Sequence, residues 1–191
     1  SACALIEKFI PIAIKVFEDF YKNNNVGKAN SNFEIVKQTV MTEHSNPDIS
    51  TSSEMLPNLI DIITMLIKYC ADNKDERNLM WISLIIKALC DILLLTNDVT
   101  ILQRGASLLR FYIALCKDTI IKQNQIEIII TVIQRYFDST LLESSMLYLG
   151  NVIAQFFFHL ENKIIPSILE NIVKRIYKAK MPSIVQSLIL V

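Results

Sequence analysis

The sequence is poor in glycine, proline and histidine. Its 191 residues include only three glycines, five prolines and two histidines. Gly105 and Gly150 stand singly within predicted helices, so neither belongs to a Gly-rich phosphate-binding loop. His44 and His159 have no cysteine or carboxylate at a recognised metal spacing. We therefore expect no metal, no cofactor and no catalytic residues, and we predict that the protein is not an enzyme.

The sequence also lacks an excess of positive or negative charge, and it lacks closely spaced cysteine pairs. Lysine plus arginine and aspartate plus glutamate both number 19, so the formal net charge is zero and no basic nucleic-acid footprint is present. None of the four cysteines forms a Cys-x-x-Cys pair. All four lie on or near apolar helix stripes, and we expect buried free thiols in a reducing compartment. They are Cys3, Cys70, Cys90 and Cys116.

The sequence offers little that could cross a membrane. The longest uncharged run, 144–160, has polar residues at intervals of three or four, which predicts a central core helix with a narrow polar stripe. The segment 4–20 is amphipathic and includes several charged residues, so we expect no secretory leader there. The first residue is not methionine and the last residues are apolar, which leads us to expect a segment of a longer protein.

What the sequence does have is apolar residues in a helical pattern. They make up 52% of the chain and recur three or four positions apart, the spacing of one face of a helix. Four consecutive helices are predicted over 98–116, 126–137, 141–160 and 164–177, with connections short enough to favour antiparallel packing. Helix pairs at a period of roughly 40 residues predict an all-α fold, an α-solenoid of HEAT-type antiparallel helix pairs.

The predicted organisation has six segments. Residues 1–23 form a helix of a preceding HEAT repeat. Because Pro11 suits a first helical turn, we expect this helix to begin near Ile10, with the residues before it forming the tail of an earlier helix or a kinked extension. Residues 24–53 form a polar insertion or loop that could hold a short helix over 32–43. The other segments are a helix pair, two HEAT repeats and the first helix of a truncated next repeat, over 54–97, 98–138, 139–181 and 182–191.

Aromatic and apolar side chains indicate the expected core. Trp81 and the run 156–158, three phenylalanines, fit a core better than a base-stacking platform, because no basic groove accompanies them. The last of the four central helices is expected to bury a stripe that includes Ile168, Leu169 and Ile172.

Basic residues form two mild clusters, which we interpret as solvated helix faces in preference to a phosphate or acidic-partner site. The first cluster is Arg104, Arg110, Lys117 and Lys122. The second is Lys174, Arg175, Lys178 and Lys180. From the residue pattern alone we predict a helical repeat segment that binds other proteins.

Three stretches of the sequence resemble a known family. They are Leu102-Gln103-Arg104-Gly105, Leu109-Arg110-Phe111-Tyr112 and the run 182–191. In these stretches and in the order of its helices, the chain resembles the karyopherin-β (importin-β) superfamily of nuclear transport receptors, and within it the importin-9 branch. The resemblance covers residues 98–191, whereas the first half is similar only in architecture.

The resemblance implies a fragment of a nuclear import receptor found in cytoplasm and nucleus. Such a receptor binds protein cargo, here core histones or ribosomal proteins, and releases it when Ran GTPase binds in its GTP form. It crosses the nuclear pore by binding Phe-Gly nucleoporins. No family site maps onto individual residues of this sequence, and no direct nucleic-acid or membrane partner is implied. The alternative is a HEAT-repeat, armadillo-like scaffold or adaptor unrelated to nuclear transport.

Overall fold

A computed structural model describes residues 2–23, 55–138, 149–159, 166–178 and 182–189. Most of these residues are helical and none of them lies in a strand, so the all-α prediction is confirmed. The chain divides into two compact units, Ser1–Leu95 and Thr96–Val191.

Some sequence predictions fall outside the described residues. They concern the insertion 24–53 with His44, the first portion of the helix predicted over 141–160, Lys180, and the side chain of Cys3.

The first unit contains α1 (Ala2–Asn23), α2 (Leu56–Asp72) and α3 (Glu76–Leu95). Helix α3 packs against both α1 and α2, which also contact each other. Thirteen of the 20 residues of α3 are buried and ten of these are apolar, so apolar residues surround most of its circumference. Helix α3 is therefore the central helix of this unit.

Helix α3 is also the one helix of the described residues that is long and apolar enough to cross a membrane, judged by length and composition. Of its most apolar window, 67% is buried within the protein. Core helices of water-soluble proteins meet the same criteria, so the length and composition of α3 are weak evidence for a membrane span.

Helix α1 continues through Pro11, so the residues before Ile10 extend the same helix and are not the tail of an earlier one. An interior proline removes one backbone hydrogen bond and costs about 3 kcal/mol. Apolar residues are buried on both sides of the proline, and the packing of one continuous stripe offsets that cost. The buried residues are Ile6, Phe9, Ile10, Ala13, Ile14, Val16, Phe17 and Phe20.

The second unit contains six described helices, in which α7 makes contact with three others. The helices are α4 (Val99–Leu115), α5 (Lys117–Lys122), α6 (Ile126–Asp138), α7 (Leu149–His159), α8 (Pro166–Lys178) and α9 (Pro182–Ile189). Helix α7 contacts α4, α6 and α9, and α8 contacts α6 and α9. The described portion of the run 144–160 is thus a core helix, as predicted. The short helix α5 was not anticipated from the sequence.

Hydrogen bonds at both ends show that α4 and α6 run in opposite directions. The hydroxyl of Tyr112, near the end of α4, donates to Oε1 of Gln125, just before α6, at 2.6 Å. The hydroxyl of Tyr136, near the end of α6, donates to the carbonyl of Leu102, near the start of α4. Both bonds are buried, where an unmatched polar group would cost roughly 1–3 kcal/mol. They therefore favour the antiparallel register.

The turns before α3 and α6 have the same backbone design. Lys74 and Asn124 have positive φ angles of 54° and 51°, the left-handed conformation. In each turn this residue and the next donate backbone hydrogen bonds to the preceding helical turn, as in a Schellman motif. The donor–acceptor pairs are Lys74–Ala71, Asp75–Cys70, Asn124–Ile121 and Gln125–Ile120. In each turn the next helix begins two residues after the residue with positive φ.

The three consecutive phenylalanines of α7 differ in burial. Phe156 is fully buried, Phe157 is half-buried and Phe158 is 81% exposed, so the core prediction is wrong for Phe158. Consecutive helical residues point about 100° apart, so one side of a helix cannot bury all three rings. The ring of Phe158 instead lies edge-on to that of His159, with centroids 4.8 Å apart.

Truncating the two outer phenylalanines should separate core from surface. We expect Phe156→Ala to lower the free energy of unfolding by about 3–5 kcal/mol, because it leaves a cavity beside α7. Phe158→Ala, the matched control on the same helix, should change it by less than about 0.5 kcal/mol. Urea unfolding followed by circular dichroism measures both. Equal losses would contradict the orientation of α7.

The left-handed conformation of Lys74 gives a second prediction. Lys74→Gly should stabilise the first unit by about 1 kcal/mol, because glycine adopts positive φ without the steric cost of a Cβ. Lys87→Gly, the control in the interior of α3, should destabilise it by about 1 kcal/mol. Thermal and urea unfolding check both variants. A loss of stability in both would refute the turn geometry.

Candidate interaction surfaces

Ionisable side chains are buried in the first unit. Cys90 and Asp91 are adjacent in α3 and are 1% and 3% exposed, and Tyr21, near the end of α1, is 5% exposed. Burial, followed by the charge of Asp91, raises the pKa of both Tyr21 and Cys90, that of Cys90 to about 12. At neutral pH the thiol therefore stays protonated, and a protonated thiol is a poor nucleophile.

The other cysteines and His159 are the remaining candidates for chemistry. Cys70, Cys90 and Cys116 are buried and form no disulfide, so the prediction of buried free thiols is confirmed for these three, whereas the reducing compartment stays a prediction. Among the described residues, no group of three or more His, Cys, Asp and Glu side chains could hold a metal ion. His159, at the end of α7, is half-buried beside Phe158.

The first surface is an apolar stripe on α2, which we call the α2 stripe. It consists of Met55, which immediately precedes α2, and of Ile62, Met65 and Tyr69 within it; they are 42%, 44%, 69% and 47% exposed. The opposite side of α2 is fully occupied by the core of the unit, with seven buried residues. Periodicity alone could not reveal the α2 stripe, because apolar residues occur on both sides of this helix.

The second surface is an apolar stripe on α8, which we call the α8 stripe. It consists of Leu169, Val173 and Tyr177, which are 47%, 46% and 87% exposed. The prediction that Leu169 is buried is therefore wrong, whereas Ile168 and Ile172 are buried as expected. Only a narrow portion of α8 is covered within the unit.

Charged residues border the α8 stripe on one side. Glu170, Lys174 and Lys178 recur every four residues along the exposed surface of α8. Nζ of Lys174 lies 2.6 Å from Oε1 of Glu170, and this hydrogen bond lowers the pKa of the Glu170 carboxyl. Arg175 is half-buried and adds a third cation to the helix. The helix thus has an excess of positive charge.

The other basic cluster is spread over α4 and α5. Lys117 and Lys122 are exposed, and Arg104 and Arg110 are half-buried. The guanidinium of Arg110 lies over the ring of Phe111, 4.4 Å from its centroid. Such a stacked arginine covers apolar surface as well as presenting a charge.

The buried thiol predicts how stability depends on pH. The ordinary pKa of the Cys90 thiol is 9.0 and its folded value is about 12. Its contribution to stability is therefore complete below about pH 9 and is lost as the pH rises toward 12. Between about pH 9 and about pH 11 the wild-type protein should lose about 1 kcal/mol per pH unit more than Cys90→Ala. Urea unfolding across this range measures the difference, and parallel curves would contradict it.

No family model, curated protein or solved structure matches this chain. The likeness to importin-β-type receptors therefore remains a resemblance of the quoted stretches and of helix order. What the structure adds to it is two exposed apolar stripes on the helices of the described residues.

Proposed function

We propose that this chain is a protein-binding segment of HEAT-type α-solenoid architecture. The observation that carries the proposal is the pair of exposed apolar stripes on α2 and α8. Exposed apolar patches of this kind are typical of protein interfaces. The opposite directions of α4 and α6, which two buried hydrogen bonds connect, and the short turn between α2 and α3 are compatible with helical repeats.

The specific form that we propose is a fragment of a nuclear import receptor of the importin-β type. The support for it is the resemblance of residues 98–191. The receptor would move between cytoplasm and nucleus, bind core histones or ribosomal proteins as cargo, release them to Ran-GTP and bind Phe-Gly nucleoporins.

The charges beside the α8 stripe favour one of these ligands over the others. Histones and ribosomal proteins are basic, and Lys174 and Lys178 would repel them. An apolar Phe-Gly segment requires no acidic surface, and a phenylalanine ring can pack on Leu169 and Tyr177. Within the import hypothesis we therefore assign Phe-Gly segments to the α8 stripe, and basic cargo to another surface.

A HEAT-repeat scaffold unrelated to nuclear transport is the second candidate. It is favoured by the same exposed stripes, because a stably bound partner of any kind would cover them. The two candidates differ in their response to Ran: a scaffold keeps its partners in the presence of Ran-GTP, and an import receptor releases its cargo.

Binding to purified ligands tests the proposal. The immobilised chain is incubated with histone dimers, ribosomal proteins or a Phe-Gly repeat peptide, and each complex is then challenged with Ran-GTP. Release of cargo by Ran-GTP supports the import receptor. Retention supports the scaffold, and the failure of every ligand to bind removes the import hypothesis.

A pair of variants tests the assignment of the α8 stripe. Tyr177→Ala should weaken the binding of the Phe-Gly peptide about tenfold, because it removes a ring that is 87% exposed. Phe158→Ala removes a ring that is 81% exposed on a different helix, and should leave binding unchanged. Isothermal titration measures both. Equal effects of the two variants would contradict the assignment.

A further inference from the structure

Helix α2 has the residue spacing of a helix that pairs with another helix. Met55, Ile62 and Tyr69 are seven residues apart, and Met65 follows Ile62 by three and precedes Tyr69 by four. This is the a/d spacing of a heptad, which aligns side chains along one seam. All four side chains are exposed, although the opposite side of α2 is buried within its own unit.

We propose that the α2 stripe is a self-association surface, on which α2 of a second copy of this chain packs in antiparallel orientation. The two copies would be related by a two-fold axis, so that both contribute the same patch. In this arrangement Ile62 of the first copy lies opposite Met65 of the second, and the two-fold axis places Met65 of the first copy opposite Ile62 of the second. It also sets Tyr69 opposite Asn58 on each side of the axis.

The charges beside the stripe select a second copy in this orientation. Asp61 and Lys68 are exposed and lie on the same edge of α2, seven residues apart. In an antiparallel pair of identical helices the same edges meet, so Asp61 of each copy lies opposite Lys68 of the other. In a parallel pair this edge would meet the opposite edge, where Leu59 and Leu66 are buried within their own unit.

The α8 stripe has less of this complementarity, because its charged edge combines one glutamate, Glu170, with the two lysines Lys174 and Lys178. Antiparallel pairing of α8 with itself about Val173 would bring Lys174 close to Lys174 of the second copy, and like charges at that distance repel. The proposal for α2 therefore depends on its particular edge charges and not on exposed apolar area alone.

The interface should be weak. Four apolar side chains from each copy form a contact at the lower end of specific interfaces, where complexes are transient. Association should therefore depend on protein concentration, and surface ion pairs at its edge should make it sensitive to salt.

Sedimentation equilibrium over a range of concentrations tests the proposal. The wild-type chain should show a monomer–dimer equilibrium, and Met65→Glu should weaken it at least about tenfold, because it places charges at the centre of the seam. Met80→Glu makes the same substitution at an exposed methionine of α3 and should leave it unchanged. Circular dichroism establishes that both variants are folded. A wild-type monomer at all concentrations, or equal effects of the two variants, overturns the proposal.

Charge reversal tests the orientation. Asp61→Lys and Lys68→Asp should each weaken the dimer, since each puts like charges opposite one another at two places. The double variant Asp61→Lys with Lys68→Asp restores opposite charges and should recover the wild-type association. Failure of the double variant to recover association overturns antiparallel self-pairing.

Discussion

The central constraint on this molecule is that α3 and α7 are apolar on more than one side. A helix with a single apolar stripe needs one neighbour, whereas a helix that is apolar around most of its circumference must be covered by several. Helix α3 is covered by α1 and α2, and α7 by α4, α6 and α9. These neighbouring helices are placed by this requirement, and their own outer faces are free to differ in polarity.

Enclosing α3 has a consequence for its polar residues. Asp91 is buried in α3, and burial together with the charge of Asp91 raises the pKa of Cys90 and of Tyr21. In the second unit, buried polar side chains form hydrogen bonds between helices. The hydroxyls of Tyr112 and Tyr136 reach across from one helix to another and donate to defined acceptors. Since such bonds are costly to leave unmade, they discriminate between registers that apolar packing alone would tolerate.

Helical periodicity is enough to predict the fold class and most helix positions, because each long helix has at least one regular buried stripe. It fails where a local rule is overridden. Pro11 has the sequence context of a helix start, but burial on both sides keeps α1 continuous. Lys74 and Asn124 occupy the left-handed positions where glycine is usual, so the two Schellman turns leave no glycine signal. Consecutive phenylalanines indicate a core, although helix geometry turns Phe158 away from it.

The binding surfaces are hidden from sequence for a related reason. Periodicity predicts that an apolar stripe exists, but the partner that covers it can be another helix of the chain or another molecule. Leu169 continues the pattern of Ile168 and Ile172 in sequence, and only the position of α8 in its unit leaves it exposed. With a net charge of zero, specificity must come from the residues beside each stripe. The opposite charges of Asp61 and Lys68 favour antiparallel pairing with an identical helix. The excess of lysine on α8 favours a ligand without basic charge.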